Sequence, residues 1–201
     1  MRFVLASASP ARLTVLRNAG VEPHVRVSGV DEDAVAAALA DPGPAELVTA
    51  LAVAKAEAVA ADERDAVVVG CDSMLLTADG RVEGKPGTVE VARERWGRIA
   101  GTTGTLLTGH AVLRVAAGRV VDRAVDHEAT TVRFGTPTGA ELEAYLATGE
   151  PLNVAGAFTL DGLGGWFVEG IDGDPSSVIG ISLPLTRRLL RGIGVAVSDI
   201  W

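Results

Sequence analysis

Cysteine is almost absent from this chain of 201 residues, which holds Cys71 alone. A single thiol has no intramolecular partner, which excludes a disulfide framework and any metal site built from several thiolates, and it is typical of a reducing compartment. No apolar run approaches the roughly 20 residues of a membrane-spanning helix, and the opening residues lack the apolar segment of a secretory signal. We therefore expect a cytoplasmic protein that has no membrane partner.

Positive charge is also scarce, because 18 Lys and Arg face 26 Asp and Glu and leave a formal net charge of −8. Affinity for nucleic acid comes from Lys and Arg that neutralise phosphates, so we expect no nucleic-acid partner. A polyanionic ligand would need a local cationic pocket, helped by a divalent cation.

Several catalytic signatures are missing as well. The three histidines show neither metal-ligand spacing nor a neighbouring nucleophile motif: His24, His110 and His127. No Gly-x-x-x-x-Gly-Lys-Ser/Thr phosphate loop occurs, and Gly164-Gly165 does not form a dinucleotide fingerprint. Motor, GTPase and dinucleotide-dependent functions therefore have no support.

The segments that are present alternate between strand and helix patterns, with Gly and Pro between them. With 48% hydrophobic residues, the chain is expected to form a single domain over 1–201, with one core or two packed lobes. Predicted strands are Arg2 to Ala6, Pro23 to Val27, Ala66 to Gly70, Leu106 to Ala116 and Arg119 to Arg133. Predicted helices are Ala11 to Ala19, Ala45 to Ala61, Val89 to Ala100, Thr138 to Thr148 and Pro184 to Leu190. A hairpin is expected at Asp79-Gly80, and the Gly-rich remainder is interpreted as strand-like. The pattern predicts an α/β or α+β protein with a mixed sheet.

The loop between the first strand and the first helix is a candidate phosphate cradle. Ser9 suits a helix N-cap and Pro10 suits the first helical position. Ser7 and Arg12 would add a hydroxyl and a guanidinium to the positive end of the helix dipole. An ordinary capped helix with an exposed arginine fits the same residues.

Lys55 and Asp72 occupy more informative positions. Lys55 lies on the apolar stripe of the long helix, one turn from Leu51 and Val59. It either extends its ammonium to the surface or faces a cleft where an anion compensates its burial. Asp72 follows a buried strand, where it could hold a metal, accept a proton from water, or form an Asx-type turn.

Two further charged residues extend the candidate site. Glu32 lies in the acidic turn Gly29 to Asp33 and could supply a second carboxylate to a metal at Asp72, although most acidic turns are merely solvated. Lys85 lies between Gly84 and Pro86 in a stiff segment that suits a point charge meeting a phosphate, and a surface lysine fits equally well.

Taken in order, these segments resemble the Maf family, also called septum formation inhibitor proteins. The resemblance covers nearly the whole chain and rests on the order and spacing of short motifs: Ser7 to Arg12, Asp31-Glu32, Lys55-Ala56, Gly70 to Ser73, Gly84 to Pro86, Ala155 to Phe158, Gly170 to Asp174 and Val178 to Leu185. It implies a two-lobed α/β fold, with an elongated mixed sheet flanked by helices and a central cleft, similar to inosine triphosphate pyrophosphatases.

The resemblance further implies hydrolysis of a nucleoside triphosphate between its α and β phosphates. Asp72 would then accept a proton, and Glu32 with Asp72 would hold a divalent cation, Mg²⁺ or Mn²⁺. The residues that would contact phosphate are Ser7, Arg12, Lys55 and Lys85. A homodimer is among the oligomeric states that the resemblance allows.

Four positions depart from the family pattern, and they bear on substrate specificity. One is near Gly104, where a histidine common in the family is replaced. Ala11 replaces one of two adjacent arginines, Ser73 replaces a threonine, and Asp161 stands where well-studied branches carry a glutamine thought to contact the base. Two alternatives to the pyrophosphatase stay open: a nucleotide-binding regulator of cell division with little turnover, and a phosphatase that releases single phosphates.

Overall fold

The computed structural model describes residues 1–201, which form two compact units. The first unit contains Met1–Asp72, Thr108–Glu128 and Gly180–Trp201, and the second contains Ser73–Leu107 and Ala129–Ile179. Three of the four boundaries between the units fall inside long strands, and the fourth follows the short helix that ends at Ile179. Each unit is assembled from distant parts of the chain.

Seven strands form one mixed sheet. They are β1 (Phe3–Leu5), β2 (His24–Val25), β3 (Ala66–Thr77), β4 (Val82–Glu83), β5 (Thr103–Ala116), β6 (Arg119–Phe134) and β7 (Val168–Asp172). Their order is β2-β1-β3-β5-β6-β7, and β4 pairs with β3 outside this path. β1 is parallel to β2 and β3, whereas the β3–β4 and β6–β7 pairs are antiparallel. The predicted mixed α/β architecture is confirmed.

Seven α-helices accompany the sheet. They are α1 (Pro10–Asn18), α2 (Glu32–Ala37), α3 (Pro44–Ala60), α4 (Val89–Ile99), α5 (Gly139–Ala147), α6 (Pro175–Ile179) and α7 (Leu183–Gly192). Four short 3₁₀ helices cover Glu150–Asn153, Ala155–Ala157, Leu163–Phe167 and Val197–Ile200. None of the helices has the length and apolar character that crossing a membrane requires.

The core of the first unit lies where α3 packs on the sheet. Ala52, Ala56 and Val59 of α3 are buried together with Val4 and Val68 of the sheet. Gly70 permits this close packing, because a Cβ there would lie 2.3 Å from the Ala52 carbonyl oxygen and 2.8 Å from the Ala56 nitrogen. The backbone of β3 therefore lies directly against the turn of α3 that carries Lys55.

An aromatic cluster fills the core of the second unit. The Trp96 ring makes edge contacts with Phe134, Tyr145 and Phe167 at centroid distances of 5.9, 6.2 and 5.9 Å. Its indole N–H donates to the Ala157 carbonyl at 2.8 Å, so this buried polar atom is satisfied. The cluster ties α4 to α5 and to the 3₁₀ segments.

Three sequence predictions need correction. The strand predicted at Ala66 to Gly70 continues to Thr77, so Asp72 lies inside a strand rather than after one. Part of the acidic turn is helical, because Asp31 caps α2 by accepting from the Ala34 N–H. The Gly-rich remainder is mostly 3₁₀ and short α-helix, with β7 its one strand, because glycines with positive φ interrupt an extended path: Gly149, Gly156, Gly173 and Gly180.

Candidate functional site

The predicted site residues divide between the two units. The first unit holds Ser7, Ala11, Arg12, Glu32, Lys55 and Asp72, and the second holds Ser73, Lys85 and Asp161. Within the first unit, the structure brings the predicted charged residues into two connected groups.

Lys55 joins the two predicted carboxylates. Its Nζ lies 2.5 Å from Asp72 Oδ1 and 2.7 Å from Glu32 Oε1. Lys55 is 8% exposed and Asp72 is 7% exposed, whereas the Glu32 side chain is about half exposed. Of the two readings of Lys55, the structure supports burial beside anions and not extension to the surface.

The electrostatics of Asp72 follow from its burial. Loss of solvent raises the pKa of Asp72 above its ordinary value, and the nearby Glu32 charge acts in the same direction. The Lys55 ammonium and, more weakly, the Arg12 guanidinium lower it. A carboxylate whose pKa is raised by burial but which faces a cation is the type of group that accepts protons in active sites.

Local structure explains how Asp72 can lie inside a strand and still be near a ligand-binding end of the sheet. Pairing between β1 and β3 runs from Phe3 with Val67 to Leu5 with Val69, and Asp72 lies three residues beyond that last pair. β1 has ended at this point and its chain has entered the loop before α1. Asp72 therefore lies near the carboxyl end of a neighbouring parallel strand, where ligands bind in α/β sheets.

The loop before α1 has the predicted cap. Ser9 Oγ accepts from the Arg12 N–H at 3.4 Å, and Pro10 begins the helix. Ser7 is buried, and its Oγ accepts from the Ser9 N–H at 3.1 Å and from Arg12 Nη1 at 3.0 Å. The loop and the arginine thus hold each other in place.

Arg12 forms the second group by linking three chain segments. Besides Ser7, its Nη1 donates to the Cys71 carbonyl at 2.8 Å and its Nε donates to the Gly180 carbonyl at 2.8 Å. Because Cys71 precedes Asp72, the guanidinium is fixed one residue from the buried carboxylate. The sequence analysis did not identify Gly180 as a site residue, because the contact is made by its backbone carbonyl, a group that every residue type has.

The remaining predicted positions lie as follows. Ala11 occupies the first turn of α1 and is partly buried, and Ser73 is partly buried in β3. Lys85 and Asp161 are exposed in loops of the second unit. His110, given no role from the sequence, is buried with its Nε2 accepting from the Ser182 N–H at 2.8 Å, so it supports the start of α7.

The carboxylates of the site are the candidate ligands of the predicted divalent cation. No group of three His, Cys, Asp or Glu side chains could hold an ion by itself. Glu32 and Asp72 nevertheless direct carboxylate oxygens at one common cation, the Lys55 ammonium. Two carboxylates supplemented by phosphate oxygens and water suit Mg²⁺, so the residues fit such an ion.

Comparison with known proteins assigns the chain to a family. The family model described as Maf-like protein matches residues 2–193. The chain belongs to the Maf-like protein family. Three similar proteins, each named nucleoside triphosphate pyrophosphatase, come from Saccharopolyspora erythraea, Rhodococcus opacus and Mycolicibacterium gilvum. They are 69%, 68% and 57% identical to this chain, over 100%, 99% and 100% of its length and 97%, 95% and 98% of their own. The resemblance to Maf proteins read from the motifs is confirmed.

Proposed function

We propose that this Maf-like chain is a nucleoside triphosphate pyrophosphatase that hydrolyses the bond between the α and β phosphates. The observation that carries the proposal is the contact of the buried Lys55 ammonium with Asp72 and Glu32, at 2.5 and 2.7 Å. The shared name of relatives that are 57 to 69% identical supports the same activity.

The chemistry requires a base that orients water and positive groups where charge accumulates on the phosphates. Asp72 is the proposed base, since it is buried, its pKa is raised, and a cation holds its carboxylate in one direction. Lys55 and the Arg12 guanidinium are the proposed cations of the first unit. The products are a nucleoside monophosphate and pyrophosphate.

A divalent cation belongs to the proposal. Glu32 and Asp72 would hold it, together with oxygen atoms of the substrate. A bound Mg²⁺ or Mn²⁺ would lower the pKa of water and neutralise phosphate charge. Asp72 would still fix the position of the water and Lys55 would still balance the carboxylate charge.

Lys85 is proposed as a further phosphate contact. The chain contains only two lysines, Lys55 and Lys85, and every other cationic side chain is arginine. Lysine is a compact point charge with freely rotating donors, unlike the planar guanidinium. Because lysine occurs at these two positions alone, we infer that both have the same role, contact with phosphate, and that arginine would not fill it. For cellular context, we propose the cytoplasm.

A substrate panel tests the function. Purified protein is incubated with Mg²⁺ or Mn²⁺ and natural and modified triphosphates, while pyrophosphate, monophosphate and inorganic phosphate are all quantified. We expect release of pyrophosphate and monophosphate in equal amounts. Chelation of the metal should abolish this release. Release of inorganic phosphate alone would indicate the phosphatase alternative, and no release from any substrate would contradict the enzymatic function.

A further inference from the structure

Lys85 is exposed, but the backbone on its amino side is anchored twice. The Gly84 carbonyl accepts from Arg95 Nη1 at 2.6 Å and from the Gly156 N–H at 3.2 Å. A carbonyl oxygen has two lone pairs, so both are used. The peptide group that leads into Lys85 is therefore held by a helix on one side and by a 3₁₀ segment on the other.

The carboxyl side of Lys85 is anchored as well. Pro86 is buried and has a fixed φ, and the Gly87 N–H donates to the Leu152 carbonyl at 3.0 Å. Lys85 is consequently the exposed residue between two fixed ends. Such a loop holds the lysine Cα in place and leaves the long side chain free to reach an anion.

Arg95 itself is held by a buried ion cluster. Arg95 Nε lies 2.6 Å from Glu83 Oε2, and Arg98 Nη2 lies 2.5 Å from Glu83 Oε1. The Glu83 side chain is 6% exposed and that of Arg95 is 15% exposed. Buried ion clusters add little stability compared with apolar residues of the same volume, and some serve to fix one geometry. Here the geometry that is fixed includes the carbonyl before Lys85.

We propose that Arg95 is a positioning residue for Lys85, acting through the Gly84 carbonyl and aligned by Glu83. This inference rests on the proposed function, in which Lys85 contacts phosphate. Arg95 can serve both partners because its guanidinium brings Nε within 2.6 Å of Glu83 Oε2 while Nη1 donates to the Gly84 carbonyl. A lysine at this position keeps the charge and loses that double contact.

The activity test is a double-mutant cycle. Arg95→Lys is measured in the wild-type and in the Lys85→Ala background, with Arg93→Lys as the matched control, because Arg93 lies on the same helix and pairs with Glu143 on the surface. We expect Arg95→Lys to lower kcat/KM by about tenfold in the wild type, mostly through KM, and to have no further effect once Lys85 is removed. Equal losses in both backgrounds would overturn the proposal.

A second measurement does not depend on turnover. Hydrogen exchange of the Gly87 amide reports whether the loop is held, and amine-reactive labelling of Lys85 reports its surroundings in a chain with two lysines. Arg95→Lys should accelerate exchange at Gly87 and change the labelling rate of Lys85, while Arg93→Lys changes neither. If wild-type protein releases no pyrophosphate, the proposed function fails, and the exchange result still decides whether Arg95 holds this loop. Unchanged exchange in Arg95→Lys would contradict the positioning role.

Discussion

Lys55 and Asp72 are 17 residues apart in the chain, yet the ammonium Nζ lies 2.5 Å from the carboxylate Oδ1 and both side chains are buried. The contact joins the middle of α3 to the middle of β3. Each residue has a charge that would be unfavourable at this depth without the other. Structure and proposed chemistry thus depend on the same pair.

Replacing Asp72 by asparagine should separate binding from catalysis. Asp72→Asn keeps the volume and removes the proposed base, so we expect kcat to fall by on the order of 10² to 10⁴. Triphosphate should still bind, because Lys55 and Arg12 remain. Pyrophosphate release and calorimetric binding measure the two effects. Turnover within a few-fold of wild type would show that Asp72 is not the base, and a division phenotype that survives the substitution would favour the regulatory alternative.

Removing the lysine should destabilise the fold. Lys55→Met keeps the aliphatic stem and leaves the Asp72 carboxylate buried without its cation, which typically costs about 3 kcal/mol or more of the free energy of unfolding. Urea denaturation measures this loss in the free energy of unfolding. Arg93→Met breaks an exposed ion pair and should leave the urea midpoint unchanged. Equal midpoints for Lys55→Met and wild type would mean that the pair adds no stability.

The sequence predicts the local position of Lys55 but not its contact with Asp72, which depends on packing between distant parts of the chain. Helical periodicity places Lys55 on the buried face of α3, because residues one turn apart share a face. Its partner is set by the docking of α3 on β3, which depends on a backbone contact at Gly70. Likewise, Asp72 looks like a strand-end residue because the run of valines stops at Gly70, whereas pairing with β4 carries the strand on to Thr77.

The segment after α5 was the least predictable from sequence. Its glycines adopt positive φ values that depend on neighbours far along the chain, such as Gly156, whose Cβ would lie 2.8 Å from a methyl carbon of Leu75. The segment is rich in glycines and apolar residues, and such a local pattern does not distinguish a bent 3₁₀ path from a strand. The Gly180 contact with Arg12 spans 168 residues and has the same origin.

Gly70 should not tolerate a methyl group. In Gly70→Ala the new Cβ would meet the Ala52 carbonyl oxygen at 2.3 Å, so α3 must move and carry Lys55 with it. We expect a loss of about 1 to 3 kcal/mol in the free energy of unfolding, together with reduced turnover. Gly97→Ala is the control, since Gly97 lies in α4 with open space around it and should gain about 0.5 to 1 kcal/mol. A fully active, stable Gly70→Ala protein would contradict the close packing.

The pH dependence of stability should show the raised pKa of Asp72. An acid whose pKa is higher in the folded state stabilises the fold below its unfolded pKa, about 3.9, and that contribution disappears as pH rises through the folded pKa. The wild type should therefore lose stability relative to Asp72→Asn as pH rises across this window. Urea titrations with a chelator present measure the difference. A relative gain in stability over the same window would mean that Lys55 and Arg12 outweigh burial.

Gly180→Ala should damage the site by displacing Arg12. A Cβ at Gly180 would lie 3.2 Å from Arg12 Cγ and 3.3 Å from Nε, at a φ of +133° that side chains rarely adopt. The arginine side chain must then shift by a few tenths of an ångström, which would strain its bond to the Gly180 carbonyl and its position relative to Cys71 and Asp72. We expect kcat/KM to fall by several-fold, up to about tenfold, because a misplacement of about 1 Å can cost about 10²-fold and this displacement is smaller.

Gly118→Ala separates this displacement from backbone strain alone. Gly118 also has a positive φ, +74°, but a Cβ there meets nothing within 4 Å. Both variants should lose stability through strain, of order 1 kcal/mol at Gly118. Only Gly180→Ala should also lose activity, because only at that position does the added methyl group contact the guanidinium. Parallel losses of kcat/KM in the two variants would mean that Gly180 matters through the backbone and that its contact with Arg12 does not position the cation.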